Sequence, residues 1–148
     1  METKNVLLDL RTRKGLSQEE LAQAVFVTRQ AVSRWETGET VPNTETLKLL
    51  SRLYDVSINT LLGSPRQLFC QCCGMPMNED QLISRDPEGF FDEDYCKWCY
   101  ADGKFTYESK DKLLDYLIAH MPNPEGLPDA DRRSQYDAWL SGLKRWKA

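Results

Sequence analysis

The chain has 148 residues, with 19 Lys or Arg against 23 Asp or Glu and a formal net charge of −4. This length accommodates one domain or two small ones, and the acidic balance argues against a protein that coats nucleic acid regardless of sequence. The sequence shows no signal peptide and no apolar run long enough to cross a bilayer. It therefore predicts a cytoplasmic protein that makes no membrane contact and keeps its thiols reduced.

The two halves of the sequence differ in composition. Residues 1–62 contain eight basic and eight acidic residues and no Cys, whereas residues 63–148 contain eleven basic residues, fifteen acidic residues and all five Cys. Gly63-Ser64-Pro65 breaks the helical pattern between the halves. We expect a first domain, a linker and a second domain at residues 1–63, 64–68 and 69–148.

The first half reads as a small helical bundle. Gly15 and Gly38 follow two of the predicted helices, as helix C-termini prefer. The helices are predicted near Asn5–Arg13, Gln18–Val25, Thr28–Glu36, Thr44–Tyr54 and Ile58–Leu62. The leucines expected to close the core are Leu7, Leu10, Leu16, Leu47, Leu50 and Leu53.

The segment Ser17–Glu36, SQEELAQAVFVTRQAVSRWE, has the pattern of two short helices packed at a fixed angle. Ser17 is a good N-cap, with Glu20 three residues on to complete a capping box, and Thr28 can cap the second helix. The apolar positions recur about one turn apart in each helix. This pattern predicts a helix-turn-helix, with its buried side chains at Leu21, Val25, Val27, Val32 and Trp35.

The outer face of the second helix has the chemistry of a DNA-reading surface. No carboxylate occurs from Thr28 to Trp35, although 28% of the chain is charged. Arg and Gln make bidentate contacts to guanine and adenine edges in the major groove, and Gln18 and Asn43 are candidates for phosphate contacts. An ordinary helical hairpin with a solvated Arg/Gln face is the alternative. The candidate DNA-binding residues are Gln18, Thr28, Arg29, Gln30, Ser33, Arg34 and Asn43.

Residues 5–63 resemble the Cro/phage-repressor, or xenobiotic-response-element, type of helix-turn-helix domain. The matching runs are LRTRKGLSQEELA, VTRQAVSRWETG and VPNTETLKLLSRLYDVSINTLLG. The resemblance implies a five-helix bundle that binds double-stranded DNA, generally as a homodimer. The expected dimer surface is either Ile58, Leu61 and Leu62 or the aromatic helix at the end of the chain.

One position departs from that family pattern. Phe26 stands where many helix-turn-helix turns carry Gly. If its backbone is left-handed, a residue other than Gly costs about 1 kcal/mol there. We expect burial of the Phe26 side chain to recover this cost.

Two C-x-x-C pairs in the second half, Cys70/Cys73 and Cys96/Cys99, are separated by 22 residues. Each pair can lie on a tight turn that directs both sulfurs to one point, and four thiolates form the closed tetrahedral site of structural Zn²⁺. Buried apolar thiols and disulfides are the alternatives. Gly74 follows the first pair and allows unusual torsions there. The predicted cofactor is one structural Zn²⁺ per chain.

The fifth cysteine, Cys72, is too close to Cys70 to chelate as well as Cys73 does, and it is left out of the ligand set. A passive small residue on the turn is the main expectation, and a reactive, redox-sensing thiol beside a metal is the alternative.

Residues 69–147 resemble a zinc ribbon family whose mechanism is poorly understood. The elements that carry the resemblance are CGMPM, DEDYCKWCYADGKFT and the terminal LKRWK. It implies a metal site and a fold.

The end of the chain predicts two helices. Ser109 caps the first, Lys110–His120, whose His120 is expected to act as a cation near its C-terminus. Asp129 is expected to cap a last helix that runs to about Trp146. Its apolar side carries Tyr136, Trp139, Leu140, Leu143 and Trp146. The run Asp92-Glu93-Asp94 reads as a solvated loop.

The predicted fold class is mainly α: a five-helix, lambda-repressor-like bundle followed by a small zinc ribbon with two helices. The predicted function is sequence-specific DNA binding in a transcriptional regulator, expected to be a repressor. A closed four-cysteine site leaves no open coordination position, so we expect no enzyme. The alternatives are a regulator that senses zinc or redox state through Cys72 or the metal site, and an adaptor whose second domain binds a protein partner.

Overall fold

The computed structural model describes residues 2–147. The chain divides into two compact units: one extends to Gln67 and includes Glu88–Phe91, and the other contains Leu68–Pro87 and the chain from Asp92 onward. Within the described residues, no helix is both long and apolar enough to cross a membrane.

The N-terminal unit contains five helices whose ends differ from the predicted ones by up to two residues. Their polar caps are the predicted ones: Ser17 and Glu20 form the reciprocal capping box, and Thr28 Oγ1 accepts a hydrogen bond from the Ala31 N–H. The helices are α1 (Thr3–Lys14), α2 (Gln18–Ala24), α3 (Arg29–Thr37), α4 (Thr44–Tyr54) and α5 (Ile58–Leu61).

The core of this unit lies between α1, the α2–α3 pair and the last two helices. Val32 and Leu50 are fully buried, as is Leu61. Of the leucines predicted for the core, three are buried and three pack against it partly buried. The buried residues are Leu7, Leu21, Ala22, Val25, Val32, Trp35, Leu47, Leu50 and Leu61.

Within the described residues, the second half of the chain contains six short strands ahead of its helices, so it is not the mainly helical structure that the predicted fold class implied. The strands form three separate pairs, of which β1–β2 and β5–β6 are antiparallel. The strands are β1 (Leu68–Phe69), β2 (Pro76–Met77), β3 (Ile83–Arg85), β4 (Phe91–Cys96), β5 (Tyr100–Ala101) and β6 (Lys104–Phe105), with a 3₁₀ turn at Asp80–Leu82.

The acidic run in this unit is not the solvated loop that we predicted. Asp92, Glu93 and Asp94 lie in β4 and are half-buried. Burial raises the pKa of Asp92. This strand accommodates acidic side chains partly because Lys144 Nζ lies 2.5 Å from Asp94 Oδ2 and supplies a counter-charge.

Two helices follow the strands, and the second is shorter than predicted. Helix α6 spans Lys110–His120 with Ser109 as its N-cap, as predicted. Helix α7 spans Asp129–Leu140, so Pro128 rather than Asp129 holds the N-cap position. The chain beyond Leu140 forms turns, and the N–H groups of Lys144 and Arg145 donate to Gln71 rather than continuing the helix.

Candidate DNA-recognition helix and metal centre

The turn between α2 and α3 has a left-handed backbone at Phe26, but burial of the Phe26 side chain does not offset its cost. Phe26 has φ +61° and its side chain is 84% exposed, so the expectation of burial was wrong. Val25 is buried and Val27 is partly buried against the core on either side of it. A left-handed residue between these two inward-facing valines directs its own Cβ away from the core.

Helix α3 presents its candidate DNA-binding side chains outward. Arg29, Gln30 and Arg34 are exposed, and Ser33 is half-buried. The opposite side of the helix carries Val32 and Trp35, which are buried. The polar face is therefore held at a fixed orientation by the apolar one.

One of these side chains has an acidic neighbour. Arg34 Nε lies 3.6 Å from Glu39 Oε2, and both side chains are mostly exposed. Exposed ion pairs of this kind contribute about 1 kcal/mol or less. Glu39 therefore orients Arg34 only weakly, and a stronger acceptor such as a base edge can compete with it.

A largely buried ion pair that no sequence pattern indicated joins α1 to the end of α3. Arg11 Nε and Nη2 donate to the two carboxylate oxygens of Glu36 at 2.7 and 2.8 Å, and Nη1 donates to the Leu16 carbonyl at 2.8 Å. Hydrogen bonding to Glu36 raises the pKa of Arg11. The partners are 25 residues apart in sequence, and no local spacing marks a pair at that distance.

The same carboxylate holds Gln18, one of the predicted phosphate contacts. Gln18 Nε2 donates to Glu36 Oε1 at 3.2 Å. An amide nitrogen has two hydrogens, so this bond fixes the side chain and leaves a second donor. Asn43, the other predicted phosphate contact, caps α4 by accepting the Thr46 N–H at 2.9 Å.

The two C-x-x-C pairs meet in the second unit. The sulfur atoms of Cys70, Cys73, Cys96 and Cys99 all lie within 4.8 Å of one another. Cys73 Sγ and Cys96 Sγ are 3.9 Å apart. Sulfurs around a tetrahedral zinc with Zn–S bonds of about 2.3 Å are about 3.8 Å apart. The four thiols are free rather than in disulfides, and they fit Zn²⁺ by number, chemistry and spacing.

Local hydrogen bonds also prepare this site for a cation. The N–H groups of Cys72 and Cys73 point at Cys70 Sγ, at 3.4 and 3.5 Å. Hydrogen bonds from the other three ligand thiols lower the pKa of Cys70, whereas that of Cys99 is raised, first by its bond to Cys70. Four thiolates this close can all ionise only when a cation offsets their charge.

Cys72 lies outside the four-sulfur cluster, as predicted, but it has a partner that the sequence did not indicate. It is fully buried. Arg145 Nη1 donates to Cys72 Sγ at 3.3 Å, and the Trp146 indole N–H donates to the Cys72 carbonyl at 2.7 Å. Residues 144–146 therefore return from α7 to the first cysteine turn.

Gly74 completes the first cysteine turn in the manner expected of it. Its φ is +78°, and a Cβ at this position would collide with the Trp139 indole. Only glycine fits both the left-handed torsion and the close approach of α7.

Family models match both halves of the chain. Residues 69–147 match the family described as "Putative zinc ribbon domain", and residues 7–61 match the family described as "Helix-turn-helix".

Curated regulators also resemble the chain. It is 47% identical over 63 residues to the HTH-type transcriptional activator BcrR of Enterococcus faecalis, an alignment that covers 43% of this chain and 31% of BcrR. It is 40% identical over 108 residues to the SPbeta prophage-derived uncharacterized HTH-type transcriptional regulator YonR of Bacillus subtilis (strain 168). That second alignment covers 73% of this chain and 85% of YonR.

Among solved structures, the chain is similar to the P22 c2 repressor in complex with synthetic operator 9T. The TM-score is 0.41 and the identity 32%, over 42% of this chain and 94% of the repressor chain. The chain belongs to the zinc ribbon family, because residues 69–147 match its model. It also belongs to the HTH-type transcriptional regulators, because it is similar to YonR over most of both chains.

Proposed function

We propose that this protein binds a specific double-stranded DNA sequence by placing α3 in the major groove, and that it thereby represses transcription. The observation that carries the proposal is the exposed face of α3, which presents Arg29, Gln30 and Arg34. The sequence from Thr28 to Trp35 contains no Asp or Glu. These side chain types recognise guanine and adenine edges. A regulator of this kind acts where the chromosome is, which for a bacterial cell is the cytoplasm.

Phosphate contacts complete the proposed interface. Gln18 is oriented by its bond to Glu36, and Asn43 is an exposed residue that caps the start of α4. Thr28 and Ser33 flank the base-reading positions on α3. Phosphate contacts fix the register of a protein on DNA without reading its sequence, so we assign Gln18 and Asn43 to affinity and the Arg and Gln residues of α3 to specificity.

We propose that the protein binds DNA as a homodimer, with half-sites one helical turn, about 10–10.5 base pairs, apart. Leu61 is fully buried in the bundle and is removed from the expected dimer surface. Ile58 and Leu62, both partly buried, remain, as does Trp139 on α7, which is 52% exposed. Sedimentation of Ile58→Asp and Trp139→Ala variants, each with and without DNA, separates the two surfaces. A wild-type protein that stays monomeric on its DNA would exclude the dimer.

We propose that Cys70, Cys73, Cys96 and Cys99 hold one Zn²⁺ per chain in a structural role. When bound, the ion supplies a closed tetrahedral link between the two cysteine turns. Four protein ligands leave no position for a water or a substrate, which supports a non-enzymatic role. We place the DNA-binding domain at residues 1–63, the linker at 64–68 and the zinc ribbon at 69–148.

The decisive experiment is sequencing of sheared genomic DNA that copurifies with the immobilised protein. We expect one enriched motif with two related half-sites, and its loss in an Arg29→Ala, Gln30→Ala double variant that keeps the wild-type circular dichroism spectrum. A promoter bearing the motif should then be silenced by the wild type in a reporter assay. Recovery of DNA with no shared motif would refute sequence-specific binding, and activation of the reporter would refute repression.

A further inference from the structure

The segment at the end of the chain makes a dense set of contacts with the first cysteine turn. The N–H groups of Lys144 and Arg145 donate to the side-chain and backbone oxygens of Gln71, at 3.0 and 3.1 Å. Trp146 Nε1 donates to the Cys72 carbonyl. Three consecutive residues are thus anchored to two residues of the turn that carries Cys70 and Cys73.

The Arg145 guanidinium lies against two aromatic rings and two hydrogen-bond acceptors. Its Cζ lies 3.8 Å from the centroid of the Phe105 ring and 4.2 Å from that of Trp146. Nη1 donates to Cys72 Sγ at 3.3 Å, and Nη2 donates to the Tyr107 carbonyl. Rings on two sides cover part of a cation that cannot lose its proton, and Arg145 is partly buried.

The residue that Arg145 contacts, Cys72, is itself in contact with the metal centre. The Cys72 backbone N–H donates to Cys70 Sγ, one of the four ligand sulfurs, at 3.4 Å. A continuous path therefore runs from the guanidinium through Cys72, its side chain and its backbone N–H, to a ligand sulfur. Four thiolates around Zn²⁺ carry a net charge of −2 with the ion, and a nearby cation stabilises that charge.

We propose that Arg145 is a positioning residue for the metal centre: acting through Cys72, it offsets the charge of the four thiolates and raises the affinity for Zn²⁺. The inference rests on the metal site proposed above. It explains why a fifth cysteine lies buried beside the cluster without joining the four sulfurs, and why the chain leaves α7 at Leu140 to return to the turn.

The test is the zinc affinity of the full-length protein, measured by competition with a chromophoric chelator at fixed pH and salt. Groups that orient metal ligands typically change affinity 10–100-fold when replaced, and we expect a weakening of this size for Arg145→Gln. Arg133→Gln is the matched control, because Arg133 is an arginine of the same unit that pairs with Asp115 on the surface. An unchanged affinity in Arg145→Gln would overturn the inference.

Two further variants separate a role at the metal from a role in folding. Cys72→Ala should weaken zinc binding and should make the effect of Arg145→Gln much smaller in the double variant, whereas Cys72→Ser should retain most of the affinity. The sulfur-to-metal charge-transfer bands of the Co²⁺-substituted protein should shift in Arg145→Gln, with unchanged circular dichroism at saturating metal. The inference would be overturned if the losses of zinc affinity in the two single variants added fully in the double variant, or if the Co²⁺ spectra of Arg145→Gln and wild type were identical. A Cys96→Ser variant tests the metal site itself. If that variant retained zinc, the proposed four-cysteine site would be wrong, whatever the role of Arg145.

Discussion

Arg29 and Gln30 occupy the first turn of α3, exposed and next to the Thr28 cap. Replacing either by Ala should weaken binding to the cognate DNA by roughly 1–3 kcal/mol and relax base preference at one position per half-site, because a bidentate contact to a base edge is lost. Titration against a panel of singly substituted operators measures both effects.

Two variants serve as references for that measurement. Gln18→Ala should weaken binding to all sequences about equally, because phosphates carry no base identity. Arg13→Ala removes an exposed charge that pairs with Asp9 on α1, and it should leave base preference intact. If Arg29→Ala changed neither affinity nor preference, α3 would not be the base-reading helix.

Tyr54 illustrates how burial changes a single residue. Among the described residues, its hydroxyl is a buried group with no hydrogen-bond partner. Desolvation raises its pKa from 10.0 to about 12. The folded state favours the neutral phenol, so this group's contribution to stability is complete below pH 10 and is lost as pH rises from 10 to 12.

Replacement of Tyr54 by Phe should therefore raise the free energy of unfolding by about 1 kcal/mol, because an unsatisfied buried polar group is removed without loss of the ring. The gain over wild type should also grow between pH 10 and 12. Urea unfolding of both proteins at pH 8 and pH 11 measures the difference. A variant less stable than wild type at pH 8 would show that the hydroxyl has a partner.

At the scale of elements, the Arg11–Glu36 pair fastens α1 to the C-terminal turn of α3. The side chains are only 15% and 7% exposed. Arg11→Ala leaves the largely buried Glu36 carboxylate without its cation and should cost roughly 1–3 kcal/mol. For a unit of about 60 residues, whose stability alone is marginal, this loss should unfold much of the DNA-binding bundle at 37 °C.

Thermal unfolding followed by helical circular dichroism tests this expectation, with Arg13→Ala as the control for loss of an exposed pair. Adding Glu36→Gln to Arg11→Ala should restore part of the stability, because the uncompensated charge is gone. Equal stability of the Arg11→Ala and Arg13→Ala variants would contradict a structural role for the buried pair.

The elements differ in how far sequence could predict them. Ser17, Thr28 and Ser109 cap helices where predicted, because a cap depends on residues three positions away. The end of α7 could not be predicted, because helical spacing continues through Leu143 and Trp146. Its true end depends on hydrogen bonds to Gln71, 73 residues back along the chain.

At the scale of the molecule, the two units should respond differently to metal removal. Chelation should unfold the ribbon first, because binding of structural zinc supplies roughly 10–16 kcal/mol of apparent folding energy in small zinc domains. The five-helix bundle uses no cysteine and should keep its helical signal. Trypsin should then cleave rapidly after Lys144 and Arg145, whose contacts are with the first cysteine turn.

Mass spectrometry of the digest and metal analysis provide the readout, with about one zinc per chain expected in the untreated protein. Cys96→Ser should lose zinc and show the same early cleavage, whereas Cys72→Ser should behave like the wild type. Full zinc content in Cys96→Ser, or an unchanged melting profile after chelation, would contradict a structural metal.

Short-range spacing in the sequence was enough to predict the five helices of the bundle, their polar caps and the two cysteine pairs. Tertiary structure alone decided the rest. The burial of Leu61, the Arg11–Glu36 pair and the Arg145–Cys72 contact all depend on residues that are distant along the chain. Neither side-chain periodicity nor capping chemistry carries information over such distances, since these contacts form only when packed elements bring their residues together.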